Sequence, residues 1–312
     1  MSAIEITNFS KSFGETRAVK NVSLSVKPGE LFGLIGPDGA GKTTLMRAIC
    51  TLLLPDDGQI QVRGMNTREA IADIRAILGY MPQRFSLYQD LSVEQNLRFF
   101  ADLFNVPAEE RAARMKRLYQ FSRLGNFNKR LAGQLSGGMK QKLALSCALI
   151  HTPEILVLDE PTFGVDPVSR KEFWEILHEI RKEGTTILVS TAYMDEADQC
   201  ERVALMFNGE FAAIGSPNAL KSKYRYPLYR LDGKNLRELR AFFEEKTTVY
   251  ATQMFGDALH VSFAENPADA EWQRWQSETG GNLSGWHTEK PSIEDVFLDL
   301  INQQNLTKSA AI

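Results

Sequence analysis

Apolar and polar residues alternate along the first part of the chain in the way that half-buried β-strands require. The alternation predicts strands at residues 4–9 and 19–26, and a short apolar run predicts a buried strand at 31–36. A helix is expected to follow at residues 42–54. Two further strands are predicted at residues 59–63 and 77–81.

Helical spacing replaces this pattern between about residues 85 and 150. Ser92 followed by Gln95 forms a capping box, which predicts a helix start ahead of several apolar residues. Pro107 is expected to begin a second, charged helix that extends to about Phe121. Because the stretch carries no strand pattern, we expect a helical insertion within an α/β core.

Strands and helices alternate again after residue 150. Buried strands are predicted at residues 155–158 and 185–190. Asp166 caps the helix predicted between them, and Gly184 ends it. An Asn-Gly pair then predicts a hairpin with a type I′ turn at residues 202–214.

A boundary is predicted near residues 215–217, which read Gly-Ser-Pro, with a short helix after it. The expected domains are therefore residues 1–220 and residues 221–312. The second domain reads as strand, helix, strand, strand, helix, strand, which fits a small ferredoxin-like subdomain; the alternative is an irregular tail. Its elements are predicted at residues 227–231, 235–246, 248–254, 259–263, 268–279 and 285–288, with a closing helix at 292–301.

Charge, cysteine content and the lengths of the apolar runs argue against several classes of protein. A chain of 312 residues with a net charge of −3 gives no reason to expect a nucleic-acid partner. The three widely spaced cysteines form no C-x-x-C pair, which favours ordinary reduced thiols. The N-terminus lacks the apolar core of a signal peptide, and no apolar run approaches the ~18–20 residues that span a bilayer. We therefore expect a cytoplasmic protein that reaches membranes only through a partner.

Residues 36–44 match the phosphate-binding pattern G-x-x-x-x-G-K-[ST] between a predicted strand and a predicted helix. The glycines let successive backbone N–H groups point inward toward a phosphate. Lys42 places a cation near the β- and γ-phosphates, and the hydroxyl of Thr43 can bind Mg²⁺. The expected nucleotide-binding residues of the loop are Gly36, Pro37, Asp38, Gly39, Ala40, Gly41, Lys42, Thr43 and Thr44.

Two further motifs contain residues suited to binding a phosphate or a metal ion. Residues 135–139 read Leu-Ser-Gly-Gly-Met, which suits a helix start whose bare N–H groups approach a phosphate. Residues 155–160 form an apolar strand that ends in two carboxylates, Asp159 and Glu160. Asp159 is expected to hold Mg²⁺, and Glu160 to polarise the water that attacks the γ-phosphate. The alternative is that these acids merely cap the next helix, but Asp166 already fills that position.

The order of the phosphate loop, Gln83, Leu-Ser-Gly-Gly-Met and Leu-Asp-Glu resembles the ATP-binding subunits of ATP-binding-cassette (ABC) transporters over residues 3–220. The resemblance implies a P-loop ATPase core with an antiparallel β-subdomain, ATP and Mg²⁺ as cofactors, and a second ABC ATPase subunit as partner. By this resemblance Phe13 stacks on the adenine, in place of the usual tyrosine. Gln83 contacts Mg²⁺ and the attacking water, while Asp166 reports across the dimer.

The resemblance also implies that Ser136, Gly137 and Gly138 close over the γ-phosphate bound by the other subunit. Simpler interpretations remain for three residues: Phe13 as a core aromatic, Gln83 as a turn residue after Pro82, and Asp166 as a helix cap as well as a sensor.

This chain departs from the family at two positions. Ala192 stands where the family has a histidine that donates a hydrogen bond to the γ-phosphate, and alanine has no donor. Asp38 stands where asparagine is commoner. One hypothesis is a heterodimer in which the chain's own site is slow. The other is a homodimer in which Glu160 and Gln83 suffice. A weakly hydrolysing regulatory subunit is the alternative function.

The remaining resemblances concern export. Residues 84–93 follow Gln83 with exposed aromatics, which suits a groove for a helix of an integral-membrane permease; the alternative is core packing of the insertion. Residues 291–297 resemble the ending of ABC-2-type multidrug and antibiotic exporters. The resemblance implies that the protein works at the cytoplasmic face of a bacterial inner membrane. It also implies a possible periplasmic adaptor, because some similar exporters use one.

Overall fold

An antiparallel sheet and a mostly parallel sheet together build the N-terminal part of the chain. The computed structural model describes residues 1–84 and 86–309. It divides into two units, Met1–Pro217 and Asn218–Ile312.

The antiparallel sheet contains four strands in the order β2-β1-β4-β5. Its inward-facing apolar side chains belong to the same buried cluster as residues of the parallel sheet and of the first helix. The sheet is therefore the antiparallel β-subdomain that the sequence predicts. Its strands are β1 (Ile4–Phe13), β2 (Thr16–Val26), β4 (Asp57–Val62) and β5 (Met65–Asn66), with β3 (Leu31–Ile35) intervening in the chain.

The second sheet has six strands in the order β10-β9-β3-β8-β7-β6. All residues of β3, β7 and β8 are buried, as expected for central parallel strands covered on both faces. The carboxyl ends of these strands meet at one edge, where ligands bind in open α/β sheets. The other strands are β6 (Leu78–Met81), β7 (Ile155–Asp159), β8 (Thr186–Thr191), β9 (Arg202–Phe207) and β10 (Glu210–Gly215).

The hairpin between β9 and β10 is confirmed. Asn208 and Gly209 both have positive φ, 50° and 82°, which a type I′ turn requires.

Helix α1 (Lys42–Ile49) ends five residues before the predicted position 54. Thr51 adopts a left-handed φ of 58°, and the N–H of Leu52 donates to the carbonyl of Arg47 over 2.9 Å. This is the hydrogen bond of a Schellman ending, which stops the helix without the usual glycine. The prediction of its end was therefore wrong. Helix α2 (Ile71–Ile77) was not predicted.

The helical insertion is present as predicted. Its helices α3 (Val93–Leu103), α4 (Ala108–Ser122) and α5 (Gly137–Leu149) share one apolar cluster. The capping box is confirmed, since the N–H of Gln95 donates to Ser92 Oγ over 3.2 Å and its side chain accepts from the Ser92 N–H over 2.8 Å. Helix α6 (Pro167–Lys182) follows β7. Phe85, at the start of the predicted insertion, lies outside the described residues.

The second unit contains a four-stranded antiparallel sheet in the order β12-β13-β11-β14. Two helices alternate with its strands, and an aromatic cluster that includes Phe243, Phe263, Trp272 and Trp275 forms its core. Its elements, with the helix that leads into it, are α7 (Pro217–Lys221), β11 (Leu228–Gly233), α8 (Leu236–Glu244), β12 (Val249–Phe255), β13 (Ala258–Phe263), α9 (Asp269–Glu278), β14 (Leu283–Thr288) and α10 (Ile293–Ser309).

Across residues 1–84 and 86–309, none of the helices combines the length and the apolar character that a bilayer span requires. The three cysteines are buried free thiols.

Candidate functional site

The loop at residues 36–44 joins β3 to α1, and close packing explains two of its glycines. A Cβ atom on Gly36 would lie 2.2 Å from the carbonyl oxygen of Met206. Gly41 has a φ of 106°, and its Cβ would lie 2.5 Å from the carbonyl oxygen of Ala18. Neither position can hold a side chain without moving the neighbouring backbone. The loop is therefore held between β2 and β9.

Lys42 lies inside this loop with its side chain almost fully buried. Its Nζ donates to the carbonyl oxygens of Gly36 and Pro37 over 2.7 and 3.0 Å. The same ammonium lies 2.9 Å from Glu160 Oε1. The cation is therefore held at the centre of the loop and faces the acidic end of β7.

Asp159, the last residue of β7, is fully buried. Its Oδ1 accepts hydrogen bonds from Thr43 Oγ1 over 3.0 Å and from Ser190 Oγ over 2.9 Å. Its Oδ2 has no hydrogen-bond partner among the described residues. Burial raises the pKa of this carboxyl group, which the two hydroxyl donors only partly offset. An orphaned carboxylate oxygen beside a hydroxyl fits Mg²⁺, which prefers oxygen ligands.

Glu160 adopts a left-handed backbone conformation with a φ of 49°. Its N–H donates to Ser190 Oγ over 3.0 Å, and its Oε2 accepts from Gln83 Nε2 over 2.8 Å. Because Lys42 holds the other carboxylate oxygen, both oxygens are fixed by side chains from different elements. A strained backbone held in this way is a common feature of functional sites.

Ser190 is the site residue that the sequence did not reveal. It contacts both acids, and its Cα pairs with that of Asp159 in the parallel register of β7 and β8. One sequence feature could have indicated it. Ser190 is a hydroxyl residue at the end of a predicted buried strand, and the carboxyl ends of parallel strands meet at one edge of the sheet.

The second predicted phosphate-binding element is the start of α5. Ser136 caps this helix and accepts a hydrogen bond from the N–H of Met139 over 3.3 Å. Ser136 and Gly137 are exposed, whereas Gly138 is buried. A Cβ on Gly138 would lie 2.5 Å from Ser169 Oγ of α6. The two helix starts are therefore in direct contact.

Asp166 caps α6 and accepts a hydrogen bond from the N–H of Ser169 over 2.9 Å. This bond lowers the pKa of the Asp166 carboxyl group. The predicted cap is confirmed. The starts of α5 and α6 thus present exposed N-terminal ends side by side, as anion-binding sites commonly do.

Three residues that the sequence singles out take no part in the contacts described above: Phe13, Asp38 and Ala192. Phe13 ends β1 with 52% of its side chain exposed, which does not suit a core aromatic. Asp38 is exposed in the phosphate loop, and Ala192 is half-buried directly after β8. In the segment after Gln83, Tyr88 is 50% exposed and its ring packs 4.7 Å from that of Phe99.

A phosphate loop with a buried lysine, and an acidic pair at the end of the neighbouring strand, define a P-loop ATPase. The model of the ABC transporter family matches residues 19–163. The Nod factor export ATP-binding protein I of Paraburkholderia xenovorans is 40% identical over 305 residues, covering 97% of this chain and 98% of that protein. The chain belongs to the ATP-binding subunits of ABC transporters, and it is an ATPase of that family.

Two other matches place the chain within this family. It is 51% identical over 203 residues to the probable multidrug ABC transporter ATP-binding protein YbhF of Escherichia coli (strain K12), covering 65% of this chain. The match spans only 35% of the length of YbhF. The dimeric post-hydrolysis structure of the ATP-binding cassette MJ0796, bound to ADP and Pi, superposes with a TM-score of 0.63. It is 28% identical and covers 68% of this chain and 98% of that one.

Proposed function

We propose that this chain is the ATP-hydrolysing subunit of an exporter, and that it dimerises on ATP to drive a membrane permease. The observation that carries the proposal is the fixed cluster of Lys42, Glu160 and Gln83 beside an Asp159 oxygen that lacks a partner. The relatives named for multidrug and Nod factor export support the direction of transport.

In this proposal Lys42 exchanges the carbonyls of Gly36 and Pro37 for phosphate oxygens of ATP. Its ion pair with Glu160 then breaks, and the carboxylate is free to polarise the attacking water. Gln83 keeps its contact with Glu160 and orients the carboxylate. The groups that this chain contributes to these steps already form a connected set of hydrogen bonds and one ion pair.

Magnesium would be held by Thr43, Asp159 and Gln83. The ion supplies neutralisation of the negative charge that develops on the phosphates. Asp159 is suited to the role because one of its oxygens is already anchored by two hydroxyl groups.

The start of α5 would serve the partner's nucleotide. Ser136, Gly137 and Gly138 are placed to contact its γ-phosphate, and Asp166 on the adjoining helix to sense it. Phe13 and the residues of the chain's own phosphate loop would hold the other nucleotide. ATP then favours the closed dimer because it binds that state more tightly, and loss of the γ-phosphate reopens it.

The permease would contact the surface around Tyr88, which is half-exposed and packs on Phe99. In this proposal the chain works at the cytoplasmic face of the inner membrane, and the second unit is an accessory domain. A periplasmic adaptor stays a prediction of the sequence resemblance.

Ala192 favours a second candidate function, a regulatory subunit that binds ATP and barely hydrolyses it. The position after β8 carries no donor for the γ-phosphate.

Steady-state ATPase activity of the purified chain separates the two functions. We expect turnover that falls by ~10²–10⁴-fold in Glu160→Gln, since an amide cannot act as a base. Glu154→Gln, just before the opposite end of β7, is the matched control and should retain wild-type turnover. Tight ATP binding without turnover, even with the permease present, would favour the regulatory subunit instead.

A further inference from the structure

A buried carboxylate that the phosphate chemistry does not use lies beside the loop between Glu160 and α6. Glu196 belongs to a short 3₁₀ turn, Met194–Gln199, and is only 3% exposed. Its Oε2 accepts a hydrogen bond from Thr162 Oγ1 over 3.0 Å. Because Thr162 stands two residues after Glu160, Glu196 anchors the beginning of this loop.

The other oxygen of Glu196 faces an arginine without bonding to it. Glu196 Oε1 and Arg170 Nε are 3.8 Å apart. Both atoms are buried, and neither has a hydrogen-bond partner among the described residues. Charge-assisted hydrogen bonds between such groups are ~2.7–2.9 Å long. One atom is a hydrogen-bond donor and the other an acceptor, and they are about 1 Å too far apart for a strong hydrogen bond.

Arg170 also ties α6 to the segment after β8. Its guanidinium carbon lies 4.2 Å from the centre of the Tyr193 ring, a cation–π contact, and its Nη1 lies 3.7 Å from Asp195 Oδ2. Tyr193 follows Ala192 directly. Since Arg170 lies in the first turns of α6, its movement is linked to that of Asp166, which caps the helix.

We infer that Glu196 and Arg170 are positioning residues for hydrolysis: their pair closes when ATP draws the dimer together, and it then fixes the loop that carries Glu160 and Asp166. Glu196 already holds the start of that loop through Thr162. In the closed state it would also hold the loop's far end through Arg170, whose Nε now lies 3.8 Å from Glu196 Oε1. The inference rests on the proposed hydrolysis at Glu160 and on the proposed ATP-driven dimer. The closed pair would connect the carboxylate of Glu160 to the start of α6, which faces the partner subunit in our proposal.

The reason for a kinetic effect is geometric. A misplacement of about 1 Å in reacting groups can lower a rate by ~10²-fold. Neither Glu196 nor Arg170 lies in the phosphate loop that would hold ATP, so loss of their pair should disturb orientation more than binding.

The first test is the ATPase activity of Glu196→Gln, Arg170→Gln and the double variant. We expect each single variant to lower kcat by ~10–100-fold with the KM for ATP within about twofold of wild type. The double variant should lose no more than either single one, because both remove the same contact. Arg181→Gln is the matched control, since Arg181 lies at the other end of α6 and pairs with the more exposed Glu201.

A second measurement does not depend on turnover. In the Glu160→Gln background, ATP should slow amide hydrogen exchange at residues 161–169, and adding Glu196→Gln should remove that protection while ATP still binds. Together with a Tm close to wild type, this result separates positioning from general destabilisation.

The outcomes distinguish the two proposals. An active wild type whose variants match its kcat, or whose single effects add up in the double variant, overturns the inference and leaves the function standing. A parallel loss of ATP affinity and Tm also overturns it. A wild type without turnover refutes the proposed hydrolysis and, with it, a role in positioning for hydrolysis. ATP protection of residues 161–169 that depends on Glu196 would then uphold only the link between Glu196 and this loop.

Discussion

At the scale of single residues, Ala192 is a departure from the family that bears directly on the proposed chemistry. It follows β8 directly, close in sequence to Ser190, which holds both acids, and it offers no hydrogen-bond donor. Removal of one donor to a transition state costs ~10²–10³-fold in rate in well-studied enzymes.

We predict that Ala192→His raises kcat, by up to ~10²-fold, with little change in the KM for ATP. The imidazole would supply a donor that the wild-type site lacks. Steady-state ATPase assays check this, with Ala192→Phe as a control of ring size without a donor. Equal rates in the two variants would show that the missing donor does not limit turnover.

At this scale the sequence identified most of the candidate site. Lys42, Asp159 and Glu160 follow from motif spacing, because each lies at a loop or strand end whose place in a parallel sheet is predictable. Glu196 and Arg170 do not follow from motif spacing, since their approach depends on how α6 packs beside the turn at Met194–Gln199.

Helices α5 and α6 are the elements whose relative position matters most. Gly138 allows their contact, because a Cβ there would lie 2.5 Å from Ser169 Oγ and 2.6 Å from Ser169 Cβ. Gly137, one residue earlier, has no such restriction: the nearest atom to its Cβ would be the carbonyl oxygen of Gly164, at 3.8 Å.

Substitution of the two glycines should therefore have different effects. We predict that Gly138→Ala lowers the free energy of unfolding by ~1–3 kcal/mol through overpacking, and that Ser169→Gly restores part of the loss. Gly137→Ala should leave stability nearly unchanged but reduce ATPase activity, as its exposed backbone faces the partner's nucleotide in our proposal. Urea unfolding and ATPase assays measure both. Equal destabilisation by the two alanines would contradict this packing.

His151 links the helical insertion to the parallel sheet. Its ring stacks on Phe104 with centroids 3.9 Å apart, and its Nε2 lies 3.3 Å from the carbonyl oxygen of Leu78. Burial, the larger influence, lowers its pKa to about 4, and the bond to Leu78 only partly opposes this.

A lowered pKa in the folded state means that the unfolded chain binds the proton more readily. Between the ordinary pKa of about 6.5 and the folded value of about 4, stability must therefore fall as the pH falls. We predict a loss of ~1–2 kcal/mol between about pH 7.5 and about pH 5 that is smaller in His151→Gln. Urea unfolding at both pH values tests this, and an unchanged pH dependence in the variant would contradict it.

At the scale of elements, the sequence pattern predicts long helices and buried strands better than helix ends and short helices. Apolar periodicity located the long helices and the buried strands, but it extended α1 past Thr51, whose left-handed conformation carries no glycine signal. It also missed α2, a helix of seven residues with one buried side chain. Short elements such as this depend on their tertiary neighbours more than on their own pattern.

At the scale of the whole molecule, our proposal places two kinds of phosphate-binding surface on the N-terminal unit. The first is the loop around Lys42, and the second is the paired start of α5 and α6 at Ser136 and Asp166. In our account the first surface holds the chain's own nucleotide and the second completes the nucleotide site of a partner subunit, so that hydrolysis requires a dimer. In a homodimer, a second copy of this chain is that partner.

The most direct test of this account is the mass of the Glu160→Gln chain in solution, measured by light scattering with and without ATP. We predict a species of twice 35.1 kDa at saturating ATP and the single mass without it. Lys42→Ala in the same background should stay monomeric, because the phosphates lose their cation. A Glu160→Gln chain that binds ATP and remains at the single mass would rule out the proposed ATP-driven dimer of this chain.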